Sequence, residues 1–293
     1  MLTSVLTNSS QVHSHVQLSQ PVDPIFDELA EAVFSFENTE DRLLSRTIKV
    51  PQLQSLVNSI LSQPSWKIIE SDIFELIRAA EDLDRELADW ASNVPAGWSY
   101  SVATNLNSVS NPEPSTSRYI PSEIHVYRDF YIARVWNLYR VSRLIIQSIL
   151  LRAASCLCFP SKSGAQHPEN THIEKLNGVL VDDICASVPF LLGYDLSQLK
   201  RPTTNINFQD EKSIWPQSST SKVGNSKHTG RFSLIWPFYL SCSVSSIPET
   251  QRWWMRAQLQ WIAEYGEPQA KLVSGTQSQT LLGGPEDFRF DCV

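Results

Sequence analysis

The residues that could do chemistry are few, and the strongest candidate pair is Asp182–Asp183. Adjacent carboxylates on a helix can bridge a hard cation such as Mg²⁺, which prefers oxygen ligands. Such a site needs a third carboxylate nearby, but the segment Ile184–Ser187 that follows carries none. The pattern therefore predicts a solvated helix face, and we assign no metal to it.

The cysteines and histidines form no reactive pattern either. Cys156 and Cys158 are separated by one residue, whereas zinc knuckles use two to four. With Cys185, Cys242 and Cys292 they make five, an odd and widely spaced set that predicts free, mostly buried thiols. The six histidines never pair at metal-binding helical spacing, and serine-elbow and phosphate-loop motifs are missing. We predict a protein that is not an enzyme, with no catalytic residue, cofactor or metal.

Composition limits the partners. The chain has 24 Lys and Arg against 31 Asp and Glu, a net charge of -7, whereas nucleic-acid binders usually show a basic patch. We therefore predict no direct nucleic-acid binding. The aromatic-rich uncharged stretch 232–248 contains Pro237 and is shorter than the roughly 20 apolar residues of a membrane span. The start of the chain does not resemble a signal peptide, so we expect a soluble intracellular protein.

Helices must position any site in this chain. One apolar stripe recurs at steps of three and four residues and predicts an amphipathic helix on a core, rather than a coiled coil: Ile69, Ile73, Leu76, Ala80, Leu83, Leu87 and Trp90. A second helix, capped by Ser122 and reaching Leu157, is apolar nearly all round, which predicts burial. Its arginines do not form one stripe and predict individual salt bridges: Arg128, Arg134, Arg140 and Arg143.

Further helices are expected over 23–36, from Pro51 to 63, over 171–188, 231–246 and 248–265, and no strand is convincing. The fold class is predicted as all-α, a multi-helix array around one long buried central helix. The expected domains are a disordered leader (1–22), a helical region (23–91), a Ser/Asn/Pro-rich linker (92–121), a larger helical domain (122–273) with a flexible insert (197–230), and a tail (274–293).

Three blocks of sequence resemble the fungal-specific transcription factor domain, the helical regulatory region of fungal binuclear zinc-cluster regulators. The first block is Tyr127–Arg140, which looks like the long helix of that domain. The second is Asp183–Gly193. The third runs from Leu234–Pro237 through Glu249–Trp253 to Glu264–Gly266. The blocks occur in the order of the family and span half of the chain, from Glu123 to Val273.

The chain departs from the family at its DNA-binding element. The family holds two zinc ions in a six-cysteine cluster beside a basic segment, whereas this sequence has no Cys-x-x-Cys pair and no Lys/Arg run. The resemblance therefore carries over neither zinc nor autonomous DNA binding. Three explanations of this departure stay open: a truncated product, a misannotated gene start, and a regulator that lacks its own DNA-binding element.

The resemblance implies transcription regulation in the nucleus, through proteins of the transcription machinery or another regulator, with an unknown small-molecule effector also open. The residues expected to form the structural signature or a regulatory surface are Arg134, Trp136, Trp236, Arg252, Trp253 and Trp261. For Arg252, cation–π stacking or a rim salt bridge explains the charge more simply than a ligand. Two alternatives stay open: an all-α enzyme of terpene-synthase type using Asp182 and Asp183, and an orphan scaffold without activity.

Overall fold

The structure is a computed structural model that describes residues 15–18, 20–21, 38–64, 67–105, 119–157, 168–194, 196, 224–284 and 286. Its elements in chain order are α1 (Thr39–Thr47), α2 (Lys49–Leu61), α3 (Glu70–Ser92), β1 (Ser101–Asn105), β2 (Glu123–Val126), α4 (Phe130–Leu157), α5 (Pro168–Leu191), α6 (Gly224–Ser243), α7 (Glu249–Glu264), α8 (Pro268–Ser274) and α9 (Gln279–Leu282). The fold class is all-α, as predicted.

The chain forms two compact units, each built from separate segments. The first unit takes the described parts of Met1–Pro95, Val141–Asn177 and Gln277–Val293, and the second takes those of Ala96–Arg140 and Gly178–Thr276. Both units combine sequence from before and after residue 121, where the expected linker ends. The sequential domain boundaries given above stay a prediction. Most of the leader, the expected helix over 23–36, the linker residues 106–118 and most of the insert lie outside the described residues, whereas residues 15–18 of the leader are helical.

In the first unit, α1, α2 and α3 pack against one another. The apolar stripe of α3 is buried as predicted from Ile73 to Trp90, while Ile69 precedes the helix and is exposed. The Trp90 indole Nε1 donates to the Thr39 carbonyl oxygen at 2.8 Å, so the end of α3 is fixed to the start of α1. Helix α2 begins near Pro51 as expected, although Leu56 on it is exposed.

An ion pair of good geometry also joins two helices of the first unit. Arg143 on α4 donates to both oxygens of Asp84 on α3, from Nε at 2.7 Å and from Nη2 at 2.6 Å. Both side chains are largely shielded from solvent. A two-point guanidinium–carboxylate contact fixes direction as well as distance. The nearby pair Lys49–Glu86 spans 3.2 Å but is about half exposed at each end.

The C-terminal part of the first unit contains a short helix within the expected tail. The carboxylate of Glu286 accepts hydrogen bonds from the Ser278 hydroxyl and from the backbone N–H groups of Gln279 and Thr280. These N–H groups lie in the first turn of α9 and have no partner within the helix. Glu286 therefore caps α9 from downstream, while its own N–H donates to the Gln17 carbonyl at 2.8 Å.

The second unit contains a feature that the sequence pattern did not predict, an antiparallel ladder of β1 and β2. Ser101 pairs with Val126 and Asn105 with Glu123, with an irregularity between Val102 and Thr104. The predicted helix start at Ser122 is therefore wrong, because residues 123–126 are extended. Helix α4 begins at Phe130 instead, where Asp129 Oδ1 accepts the Ile132 N–H at 2.9 Å and acts as the cap.

The long helix is buried as predicted. Most of the residues from Ile132 to Ala153 on α4 are shielded from solvent, including positions on all sides of the helix.

Helix α5 extends past the expected end at Val188 to Leu191, with Pro189 in its last turn. It closes at Gly193, whose φ of 70° is in the left-handed region that favours glycine. Helices α6, α7 and α8 pack together, and α6 ends three residues before its expected limit.

The geometry of Arg143 and Asp84 predicts that Asp84→Asn lowers the free energy of unfolding by about 1–3 kcal/mol, because a shielded guanidinium loses its charged acceptor. Glu86→Gln removes a carboxylate from the same helix, but from an exposed pair, and should cost less than about 1 kcal/mol. Urea unfolding followed by circular dichroism measures both. Equal losses in the two variants would contradict this difference.

Candidate functional site

A fully buried guanidinium, that of Arg140, is the most unusual polar feature of the described residues. It lies on α4 between Trp136 and Leu144, one helical turn from each, and both are buried. Burying a cation is costly unless charges and hydrogen bonds replace water. The surroundings of Arg140 therefore determine what this part of the second unit can do.

Three hydrogen-bond acceptors face Arg140. Its Nη1 donates to the Tyr127 hydroxyl and to Asn137 Oδ1, both at 2.8 Å, and its Nη2 lies 3.4 Å from His125 Nδ1. The Tyr127 hydroxyl also lies 3.4 Å from that nitrogen. Because Tyr127 accepts from Arg140, its own proton is directed to His125 Nδ1, which favours the imidazole tautomer that carries hydrogen on Nε2.

Aromatic rings and one carboxylate complete the site. The Arg140 guanidinium carbon lies 5.3 Å from the ring centroid of Tyr100, 5.6 Å from that of Trp136 and 6.0 Å from that of Tyr127. These distances allow cation–π attraction, which is stronger when water is excluded. Asp183 Oδ2 lies 3.6 Å from Arg140 Nε, and the Asp183 side chain is 30% exposed. We call Tyr100, His125, Tyr127, Trp136, Asn137, Arg140 and Asp183 the Arg140 cluster.

Burial and charge shift several pKa values in the cluster. Burial opposes the charge on Arg140, but Tyr127, Asp183 and Tyr100 outweigh it and the pKa of Arg140 is raised. Burial, followed by the Arg140 charge, lowers the pKa of His125 to about 3. The carboxylate of Glu123 lies 3.7 Å from His125 Nε2 and is more than a third exposed, so it offsets little of this effect. Burial also raises the pKa of Asp183 and, to about 12, that of Tyr127.

A second network lies between α5 and α7. Gln251 Nε2 donates to Asp182 Oδ1 at 2.8 Å, to the Tyr119 hydroxyl at 2.9 Å and to Cys185 Sγ at 3.7 Å. The Tyr119 hydroxyl donates to the same Asp182 oxygen at 3.0 Å, and its ring packs on Trp254. The sequence predicted a solvated face for the Asp182–Asp183 pair. Asp182 is exposed, in line with that prediction, although it accepts hydrogen bonds from Gln251 and Tyr119, whereas Asp183 is half-buried and faces Arg140.

The thiols of the second unit are also unsuited to reaction. Cys185 and Cys242 are free and buried, as predicted, and burial raises both pKa values, that of Cys242 to about 12. A nucleophilic cysteine needs a lowered pKa. Cys156 is half-buried, whereas Cys158 and Cys292 lie outside the described residues. Among the described side chains, no group of three or more His, Cys, Asp or Glu residues could hold a metal ion.

The predicted signature residues all belong to the second unit but have different environments. Trp136 is buried, and its Nε1 donates to the Trp98 carbonyl at 2.7 Å. Trp236 is buried beside Tyr239. Arg134 lies over the Tyr131 ring, 5.6 Å from its centroid.

The other predicted signature residues are all on α7. Arg252 donates to the Val244 carbonyl at 3.0 Å, just after the end of α6, where a cation is favourable. This contact replaces the cation–π stacking or rim salt bridge expected from sequence. The ring centroids of Trp261 and Tyr265 are 4.4 Å apart. Trp253 is 62% exposed to solvent. Their role as a signature or regulatory surface stays a prediction.

Sequence reasoning missed the Arg140 cluster as a unit. Individual salt bridges were predicted correctly for Arg128, which precedes α4, and for Arg140 and Arg143 on α4. A signal for the burial of Arg140 was present, because it is spaced by four residues from both Trp136 and Leu144 on a helix that is apolar on all sides. The partners His125 and Asp183 are distant in sequence and could not be read from that spacing.

The pKa of His125 makes stability depend on pH. In the unfolded chain the imidazole takes up a proton near pH 6.5, whereas the folded state keeps it neutral down to about pH 3. The stabilisation is therefore complete above pH 6.5 and is lost as the pH falls from 6.5 towards 3. Between pH 7 and 5 the free energy of unfolding should drop by about 2 kcal/mol through this one group.

The control for this pH dependence is His125→Gln, which keeps a polar side chain but cannot titrate. Urea unfolding at pH 7, 6 and 5 should show a flatter profile for this variant than for the unaltered chain. Identical pH profiles for the two proteins would show that His125 is not held neutral.

Comparisons with known proteins agree at a coarse level with the resemblance found in the sequence. The chain is similar to transcription factor dbaG of Emericella nidulans, with 24% identity over 231 residues, which are 78% of this chain and 50% of that protein. The chain thus spans about half the length of that curated relative. No family model and no solved structure matches the present chain. The prediction of a protein like a fungal transcription factor is confirmed, while its specific domain stays a prediction.

Proposed function

We propose that this chain is a helical regulatory region of the fungal transcription factor type, which acts through protein contacts and not through catalysis. The observation that carries this proposal is the similarity to transcription factor dbaG along 78% of the chain. The three sequence blocks that resemble the fungal domain all fall in the second unit. The proposed partners are proteins of the transcription machinery or another regulator in the nucleus.

The structure supports this proposal through contacts between the blocks. Arg140 of the first block faces Asp183 of the second, and Asn137 Nδ2 donates to the Ser187 hydroxyl at 3.0 Å. Gln251 of the third block donates to Asp182 and Cys185 on α5. Polar contacts between helices specify one arrangement of the helices, as a regulatory scaffold requires. Small changes at such contacts can alter which surfaces are presented.

Direct nucleic-acid binding and enzymatic turnover are not part of the proposal. The net charge of -7 disfavours contact with phosphates. The pKa of His125 is lowered, and the pKa values of Cys185 and Cys242 are raised. All three shifts lead away from the values that proton transfer or nucleophilic attack needs near neutral pH. Among the described helices, none has both the length and the apolar character to cross a membrane.

A reporter experiment tests the proposal. The full chain is fused to a heterologous DNA-binding domain, and transcription from a promoter with the matching operator is compared with that driven by the DNA-binding domain alone. We expect the fusion to change the output, because the helical surfaces would contact the transcription machinery. Immunoblotting confirms equal protein amounts. An output equal to that of the DNA-binding domain alone would favour the orphan scaffold.

Two matched variants identify the part of the chain that acts in the reporter experiment. Arg140→Met removes the buried guanidinium and should return the output towards that of the DNA-binding domain alone. Arg85→Met removes an exposed guanidinium, which pairs with Asp82 at 2.8 Å, and should leave the output unchanged. The same output from both variants would contradict a role for the Arg140 cluster.

A further inference from the structure

Phe74 occupies an unusual position on α3. The buried stripe of this helix contains Ile73, Leu76, Ala80, Leu83, Leu87 and Trp90. At 100° per residue, Phe74 lies nearly opposite the centre of this stripe, and its side chain is 55% exposed. The core is thus complete without it. Its exposed ring is apolar area that a partner could remove from water.

Carboxylates outnumber cations along the outward side of α3, from Glu70 one turn before Phe74 to Asp89 near the end of the helix, although the exposed Arg78 lies one turn after Phe74. The helix carries eight Asp and Glu residues against two arginines. Asp82 pairs with Arg85, Asp84 with Arg143 and Glu86 with Lys49. Four exposed carboxylates of the outward side form no ion pair with another described residue: Glu70, Glu75, Glu81 and Asp89. We call Phe74 and these four residues the acidic face of α3.

We propose that the acidic face of α3 binds a lysine- or arginine-rich segment of a protein partner. The ring of Phe74 can accept a cationic side chain or the alkyl stem of a lysine. The adjacent carboxylates, of which Glu70 is one turn from Phe74, supply charge-assisted hydrogen bonds to the same segment. Charge complementarity therefore selects a basic partner.

A second copy of the chain is a poor occupant of this face. Its own acidic face would bring like charges together across the contact, which costs free energy. The full chain is also acidic, with a net charge of -7. A partner with an excess of positive charge avoids this repulsion and would associate faster at low ionic strength.

The test is a fluorescence anisotropy titration of the purified full chain with a short fluorescein-labelled peptide of lysine and leucine in amphipathic helical order. A peptide with glutamate in place of lysine is the charge control. We expect binding of the basic peptide only, and binding that weakens as salt is raised. The double variant Glu70→Gln with Phe74→Ala should weaken it by about tenfold.

The chain offers a matched control on α7. Glu249 and the 62% exposed Trp253 have the same four-residue spacing as Glu70 and Phe74. The variant Glu249→Gln with Trp253→Ala removes the same charge and an exposed ring and should leave the affinity unchanged. Equal weakening by both double variants would show general attraction to an acidic protein and overturn the proposal. Sedimentation showing a dimer that Glu70→Gln with Phe74→Ala disrupts would assign the face to a second copy and overturn it too.

This inference rests on the proposed action through protein contacts and names the chemistry of one partner. The titration contains no promoter and no reporter. Loss of peptide binding together with an active reporter fusion would reject the α3 site alone, whereas an inactive fusion with intact peptide binding would reject only the regulatory role.

Discussion

The described part of the second unit depends on how it accommodates one buried positive charge. Arg140 is removed from water, so its charge must be balanced by groups that the chain holds in place. Asp183 provides the opposite charge, while Tyr127, Asn137 and three aromatic rings provide hydrogen bonds and cation–π contacts. Since α4, α5 and the residues next to the β1–β2 ladder supply these groups, these elements must be correctly arranged before the charge is stable.

This constraint accounts for the partners and protonation of the residues that look reactive in the sequence. Asp183 faces the guanidinium, Asp182 accepts from Gln251 and Tyr119, and His125 is kept neutral by burial and the adjacent cation. Groups engaged in this way stabilise one arrangement of the helices. The proposed regulatory function would use the surfaces that this arrangement presents, and the chain is similar to a fungal transcription factor.

The local parts of this fold could be predicted from sequence, and the non-local parts could not. The stripe of α3 repeats every three to four residues, so its helix and its buried face follow from spacing alone. Ser122 and Asp129 are both good caps, and the choice between them depends on pairing of residues 123–126 with a strand about twenty residues earlier. The Arg140–Asp183 contact likewise joins residues that are distant in sequence. Of the candidate site, sequence indicated the blocks but not how they meet.

The most direct test of the central claim is a double-mutant cycle of Arg140→Met and Asp183→Asn, measured by urea unfolding at pH 7. Asp183→Asn should lower the free energy of unfolding of the unaltered chain by about 2 kcal/mol. This loss is smaller than for breaking a fully buried ion pair, because the Asp183 side chain is partly exposed to solvent. In the chain that already carries Arg140→Met, the same change should cost less than about 0.5 kcal/mol, because no buried cation remains to be neutralised. Asp182→Asn, at the neighbouring position, should cost the same in both backgrounds. Equal costs of Asp183→Asn in the two backgrounds would contradict the account.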